Sequence, residues 1–341
     1  MGRRDKTGAN RAIFDRSFPS PPVPDESASV GCFPASEKPL SVTALFDGQQ
    51  PSEAATAALL AHPRFVEAGR IVAAGLVALY QGERTVNLVM PDRVRYIISV
   101  FAVHLHFAGR ANDPDSGLTA SRLCKLCVER KVCSAGRAES MLGIMREFGH
   151  LVPAPSEEDM RLRRLVPAEP LFAWHRKRCM HFFAAAAKVL PDDADALVAL
   201  DAPGFMPNFM RHLGRSHVAG FHYVEHVPDI RLFYERSAGG AILMRIMLSG
   251  ADDDRFPPSR PVSISLSGLA RDFDVSRVHV RRLVQDGVNA GLLNRVSASG
   301  DQLEVAPRLS DAVRRVVVTY MLHYTHCARL AYADMRQESV T

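Results

Sequence analysis

The chain carries a single tryptophan among its 341 residues and no uninterrupted apolar run long enough to cross a bilayer. Its most apolar stretch, residues 97–107, is broken by Ser99, His104 and His106, so no membrane span is expected. The opening residues MGRRDKTGANRAIFDRSF contain no apolar segment of the secretory-leader kind, and the six cysteines then suit a reducing cytoplasm. A glycine-rich phosphate loop, a G-x-S-x-G elbow and an H-E-x-x-H zinc pair are all missing. No active site is legible, and the expectation is a protein that is not an enzyme and needs no cofactor. Charge of neither sign dominates: 42 basic residues face 37 acidic ones, a net +5 that permits a nucleic-acid partner without demanding one.

What is present is a mainly helical pattern, with apolar residues making up 47% of the chain. Residues 1–50 hold Pro19, Pro21, Pro22, Pro24, Pro34 and Pro39 among polar residues and few periodic apolar positions, which reads as a disordered arm. Its five early basic residues, Arg3, Arg4, Lys6, Arg11 and Arg16, read first as a solvated tail and second as a flexible phosphate-touching arm. From Ser52 onward the spacing turns helical, through EAATAALLAH, a second helix begun by Pro63 and a third over about 91–108.

The most informative stretch is 263–296, SISLSGLARDFDVSRVHVRRLVQDGVNAGLLNRV, which reads as helix, tight turn, helix and strand. Val280, Leu283, Val284 and Gly287 fall at i, i+3, i+4 and i+7 and line one packable face of the second helix. Opposite them lie Val278, Arg282, Gln285 and Asn289, flanked by His279 and Arg281. Ser276 occupies the N-cap position, leaving the first-turn amides and Arg277 to meet a phosphate. Arginine and glutamine are the side chains that grip guanine and adenine edges with two hydrogen bonds.

On those residues the segment SLSGLARDFDVSRVHVRRLVQDGVNAGLL resembles the winged helix-turn-helix of bacterial regulators of the MarR and GntR kinds. The resemblance implies that Leu269 and Ala270 pack the first helix, that the residues after the turn enter the major groove of double-stranded DNA, and that 293–305, around Ser299-Gly300-Asp301, forms the wing. Gly268 within the first helix and His279 early in the second depart from the pattern.

An earlier stretch, 118–152, repeats this one. Ser134 lies over Ser276, Ala138 over Val280, Met141 over Leu283, Leu142 over Val284, Met145 over Gly287, Gly149 over Gly291 and Leu151 over Leu293. Upstream, Leu123, Cys124 and Cys127 overlie Leu269, Ala270 and Phe273, with a few extra residues at the turn. Ser134, Arg137 and Ser140 are then the first unit's DNA-facing candidates, and Arg161, Arg163 and Arg164 make its wing basic. Each unit is followed by a long helix, LFAWHRKRCMHFFAAAAKVL after Pro167 and about 309–332 after Pro307.

The expected architecture is therefore mainly α with small β-wings, two tandem winged helix-turn-helix units arranged as a pseudo-dimer. Residues 1–50 form the arm, 51–190 the first helical and winged-helix unit, 191–235 a helical linker of short helices, and 236–341 the second unit with its closing helix. The acidic ADDDRFPPSRP is expected as an exposed loop. The overlay reads the thiols Cys124, Cys127 and Cys133 as core residues; a metal or redox site is the weaker alternative, kept open by Arg130 and Lys131 beside Cys133. His217, His222 and His226, and His323 with His326, lack a carboxylate partner in the pattern and read as core or surface histidines rather than ligands.

The function expected is sequence-specific transcription regulation, one chain reading two half-sites as a monomeric pseudo-dimer, with a homodimer as the other arrangement and a small-molecule effector as a further partner. A plasmid-type replication initiator and a winged-helix scaffold that binds proteins are the rivals.

Overall fold

The computed structural model describes residues 45–109, 116–154, 164–297 and 301–338. Within them the chain is mainly helical with a few small antiparallel sheets. The first described element begins within the stretch expected to be a disordered arm: β1 (Phe46–Asp47) and β2 (Gln50–Pro51) pair antiparallel, and Phe46 is buried against the His326 ring, 4.9 Å away. Leu45 and Phe46 are both buried and anchor this otherwise polar segment in the core.

α1 (Glu53–Ala61) is capped by Ser52, and α2 (Phe65–Ala78) begins two residues after Pro63. The short α3 (Arg84–Val89), invisible in the periodicity, precedes α4 (Arg93–Phe107), whose Asp92 cap accepts from the amide of Arg95 at 3.0 Å. Next come α5 (Ala120–Glu129), α6 (Ala135–Glu147), the antiparallel pair β3 (Leu151–Pro153) and β4 (Leu165–Pro167), and α7 (Glu169–Val189).

Residues 191–201 form short turns around α8 (Asp195–Val198), but 205–218 do not: α9 (Phe205–Val218) is a continuous helix of 14 residues. The linker was expected to consist of short helices throughout. Pro207 stands in the first turn, where the missing N–H has no intrahelical partner to lose, and Gly214 is a close-approach position, since a Cβ there would sit 2.3 Å from the Cβ of His104. Then follow α10 (Tyr223–His226), α11 (Arg231–Tyr234), α12 (Gly239–Met247), β5 (Val262–Ser263), α13 (Leu266–Asp272), α14 (Arg277–Asn289), β6 (Leu293–Arg295), β7 (Gln302–Val305) and the 32-residue α15 (Pro307–Glu338).

The acidic loop before β5 is only partly exposed. Phe256 is buried and packs on Gly69 of α2, where a Cβ would come within 2.5 Å of its ring. Asp254 is buried too, accepting from the amides of Arg255, Ser259 and Arg260, while Arg70 donates to the carbonyls of Ala251 and Asp254.

Two segments follow the same local plan. Thr119 and Ser265 cap α5 and α13, accepting from Arg122 N and Gly268 N. Lys131 and Asp274 take left-handed backbone at φ 53° and 52°, each followed by a residue whose amide reaches back five positions, Val132 to Cys127 and Val275 to Ala270. Gly149 and Gly291 end α6 and α14 at φ 70° and 67°, the conformation that favours glycine after a helix. The next amides close equivalent bonds, His150 to Met145 and Leu292 to Gly287. The residues leading into each segment join its hairpin: Thr119 makes an isolated bridge to Arg164, and β5 pairs with β7 in the order β5-β7-β6. The insertion between the copies is mostly an added helical turn, α5 having 10 residues and α13 having 7.

A continuous apolar core runs through all of this. α7 packs on α2 and α15 on α9, while α4 crosses to α9 and α12 to α2. Where α7 meets α15, Arg178 Nε donates to the Tyr324 hydroxyl at 2.9 Å and Phe182 stacks on Tyr320 at 4.9 Å.

Burial holds the core histidines neutral. It pushes His175 and His217 down to about 3, with the charge of Arg178 acting in the same direction on both. Their folded pKa lies below the unfolded value near 6.5, so the unfolded chain binds more protons and the stability these groups allow is complete only above that value. It is lost as pH falls below about 6.5, at up to about 1.4 kcal/mol per pH unit for each group. Thermal unfolding measured at pH 7.5, 6.5 and 5.5 is expected to show a falling midpoint; a constant midpoint would mean that the histidines are not buried as described.

Candidate nucleic-acid interface

α14 is positioned by its apolar stripe. Val280, Leu283, Val284 and Gly287 are buried, and Gly287 lets the helix close on Leu293 and Phe233, at 3.0 and 3.3 Å from where a Cβ would stand. Ser276 Oγ accepts from His279 N at 3.0 Å, which leaves earlier first-turn amides pointing outward. Arg277, Val278, Arg281, Arg282, Gln285 and Asn289 are exposed together, Val278 to 45%. None of Arg277, Arg281 and Arg282 makes an ion pair among the described residues, and the helix carries a single acid, Asp286, bound to Arg236 at 2.8 Å. The result is an outward face of cations with no internal counter-charge.

Two of the expected contact residues have partners of their own. His279 is half-buried, its Nε2 donating to the Ser237 carbonyl at 2.9 Å, and so tethers the start of α14 to the segment before α12. Gln285 donates to Asn289 at 2.9 Å and accepts from Arg295 of β6 at 3.2 Å, which holds its amide in place and links the helix to the hairpin.

α6 stands in the same local frame with different chemistry. Ser134 Oγ accepts from Arg137 N at 3.3 Å, and Ala138, Met141, Leu142 and Met145 are buried. Its outer face shows Gly136, Ser140, Gly143 and Glu147, with open space where either glycine would carry a Cβ. Ser140 donates its hydroxyl back to Gly136 O at 2.8 Å, and Arg137 lies 3.7 Å from Asp92. Arg137 and Arg146 are offset by Glu139 and Glu147, so this helix carries no excess charge. Of the three arginines expected on the first hairpin, Arg161 and Arg163 lie outside the described residues; Arg164 is half-buried just before β4, its backbone bridged to Thr119. Ser299 and Gly300 of the second hairpin turn also lie outside the described residues.

Cys124 and Cys127 are buried and Cys133 is half-buried, all three as free thiols. Burial pushes each thiol up, Cys127 to about 12, and at Cys133 it outweighs the opposing charge of Arg137, so the thiolate character suggested by nearby basic residues does not develop. Among the described residues no three His, Cys, Asp or Glu side chains are grouped to hold a metal, and no helix is long and apolar enough to cross a membrane.

The sequence reading missed the tethers that orient α14. His279, Arg236 and Arg295 have partners 10 to 50 residues away, and local periodicity carries no signal for such pairs. No protein-family model, curated protein or solved structure matches the chain.

Proposed function

We propose that this protein is a sequence-specific DNA-binding transcription regulator in which two winged helices share one chain. The observation that carries the reading is the exposed trio Arg277, Arg281 and Arg282, without an ion pair among the described residues, on a helix whose opposite face is fixed in the core. A guanidinium row whose helix has its one acid, Asp286, bound to Arg236 suits phosphate and base edges, and a preceding short helix with a following hairpin is the setting in which such a helix enters a major groove.

The pairing of the closing helices supports a pseudo-two-fold arrangement. If Arg178 and Phe182 of α7 are set over Tyr320 and Tyr324 of α15, in the same register that sets Ser134 over Ser276, then Arg178–Tyr324 and Phe182–Tyr320 are reciprocal contacts, as at an isologous interface. The crossed packing of α4 on α9 and α12 on α2 follows the same exchange. One chain would then present both of its reading helices as a homodimer presents two, roughly 34 Å apart.

The test is selection of duplexes from a random library by the full chain, followed by footprinting and stoichiometry on the selected site. The expected result is one chain per duplex, a two-part footprint with halves about 10 base pairs apart, and log affinity falling with log salt with a slope of roughly −3 or steeper. Two chains per site would remove the pseudo-dimer while leaving DNA reading intact. Absence of salt-dependent duplex binding would remove both.

A further inference from the structure

The seam between α7 and α15 encloses a charge that the fold does not balance. Arg178 is 4% exposed, yet among the described residues no carboxylate lies within ion-pair distance of it. Its Nε donates to the Tyr324 hydroxyl, and its guanidinium carbon sits 4.6 Å from the Tyr96 ring centre, 4.9 Å from Phe182, 5.4 Å from Tyr320 and 5.6 Å from Trp174. Aromatic faces offset part of the cost of burying a cation; they do not replace the counter-charge that a desolvated guanidinium ordinarily has.

Arg178 also lines a cavity of about 60 Å³, together with Leu76, Ile97 and Tyr320 on its inner wall. Half-exposed Arg93, His222 and Gly240 stand on the solvent side. Three polar atoms of the lining lack partners: Arg93 Nε, His222 Nδ1 and the Tyr234 hydroxyl are buried with no hydrogen bond among the described residues. Asp92 is the one acid in the lining, and its carboxylate is committed to the Arg95 amide at 3.0 Å and to Arg95 and Arg137 at 3.6 and 3.7 Å. Burial lowers the pKa of both His217 and His222, so they enter the cavity as neutral rings.

We infer that this cavity is a binding site for a small monocarboxylate, its oxygens toward Arg178 and its short apolar body against Leu76 and Ile97. The volume admits a ligand of a few heavy atoms, the unspent hydrogen-bonding groups are mostly donors, and the missing charge is negative. This holds whether or not the chain reads DNA.

Trp174, the chain's one tryptophan, borders the Arg178 guanidinium and reports on the site directly. The full chain is titrated with propionate and, in parallel, with its uncharged isostere propionamide, following tryptophan emission and the thermal midpoint. The expected result is a saturable emission change and a raised midpoint with propionate, and affinity for propionamide weaker by about tenfold or more, the worth of a charge-assisted hydrogen bond. Arg178→Met, which keeps the length and removes the unpaired charge, is expected to fold and to lose the propionate response. Equal responses to acid and amide, no saturable response to propionate, or a folded Arg178→Met variant that still responds would overturn the inference. Should Arg178→Met fail to fold, the acid-to-amide comparison on the unaltered chain decides alone.

Discussion

Arg282→Ala is expected to weaken binding to the selected duplex by about 1–3 kcal/mol and to relax base preference in one half-site, whereas Ser140→Ala changes little. The contrast follows from what each side chain has to offer. Arg282 projects from the exposed face of α14 with no ion pair among the described residues, so its fork of donors is available to a guanine edge. Ser140 occupies the equivalent position on α6 but has returned its hydroxyl to Gly136 O, and its neighbours on that face are glycines. Changing a residue that makes no outward contact removes nothing from the interface. The measurement is a competition assay of both variants against single-base changes across the site. Equal losses from the two substitutions would show that the two helices read alike and that the charge difference between them is irrelevant.

Phe182→Ala is expected to lower folding stability by about 3–5 kcal/mol, the range for truncating a fully buried aromatic residue. Phe182 is 1% exposed, stacks on Tyr320, meets Tyr324 edge-on at 4.5 Å and lies under the Arg178 guanidinium. Truncation therefore opens a void on the α7–α15 seam and strips a buried cation of one of its aromatic faces. Met180→Ala two positions earlier on α7 is the control; its side chain is 42% exposed, and a change within about 0.5 kcal/mol is expected. Urea unfolding of both variants gives the comparison. A loss below about 1 kcal/mol at Phe182 would mean that the seam tolerates the void by collapse and is not the rigid element that sets the two helices apart.

How far the sequence reaches is plainest in the capped, periodic segments. Ser276 and Ser134 were legible as N-caps because a side-chain oxygen followed by an apolar stripe is a local pattern, and both serines do accept the amide three residues on. The stripes of α6 and α14, the glycines that end them and the hairpins that follow were legible for the same reason, each being fixed by interactions within about one helical turn or one β-turn. α9 differs from the short helices expected over this stretch because its continuity rests on long-range packing, Gly214 letting it close on His104 of α4. The Phe46 hairpin was hidden because Phe46 packs against rings far along the chain, Phe221, His323 and His326.

The sequence by itself determined which faces of these helices are apolar, where they start and stop, and which residues face outward from α14. Only the tertiary structure decided that His279 is tethered to Ser237, that Arg137 lies against Asp92, and that Arg178 is buried among rings with no carboxylate at ion-pair distance among the described residues. The reason is physical: periodicity and capping are short-range and written into neighbouring residues, whereas the partner of a charge is set by which helices cross, and that depends on how the whole chain divides its apolar surface between them.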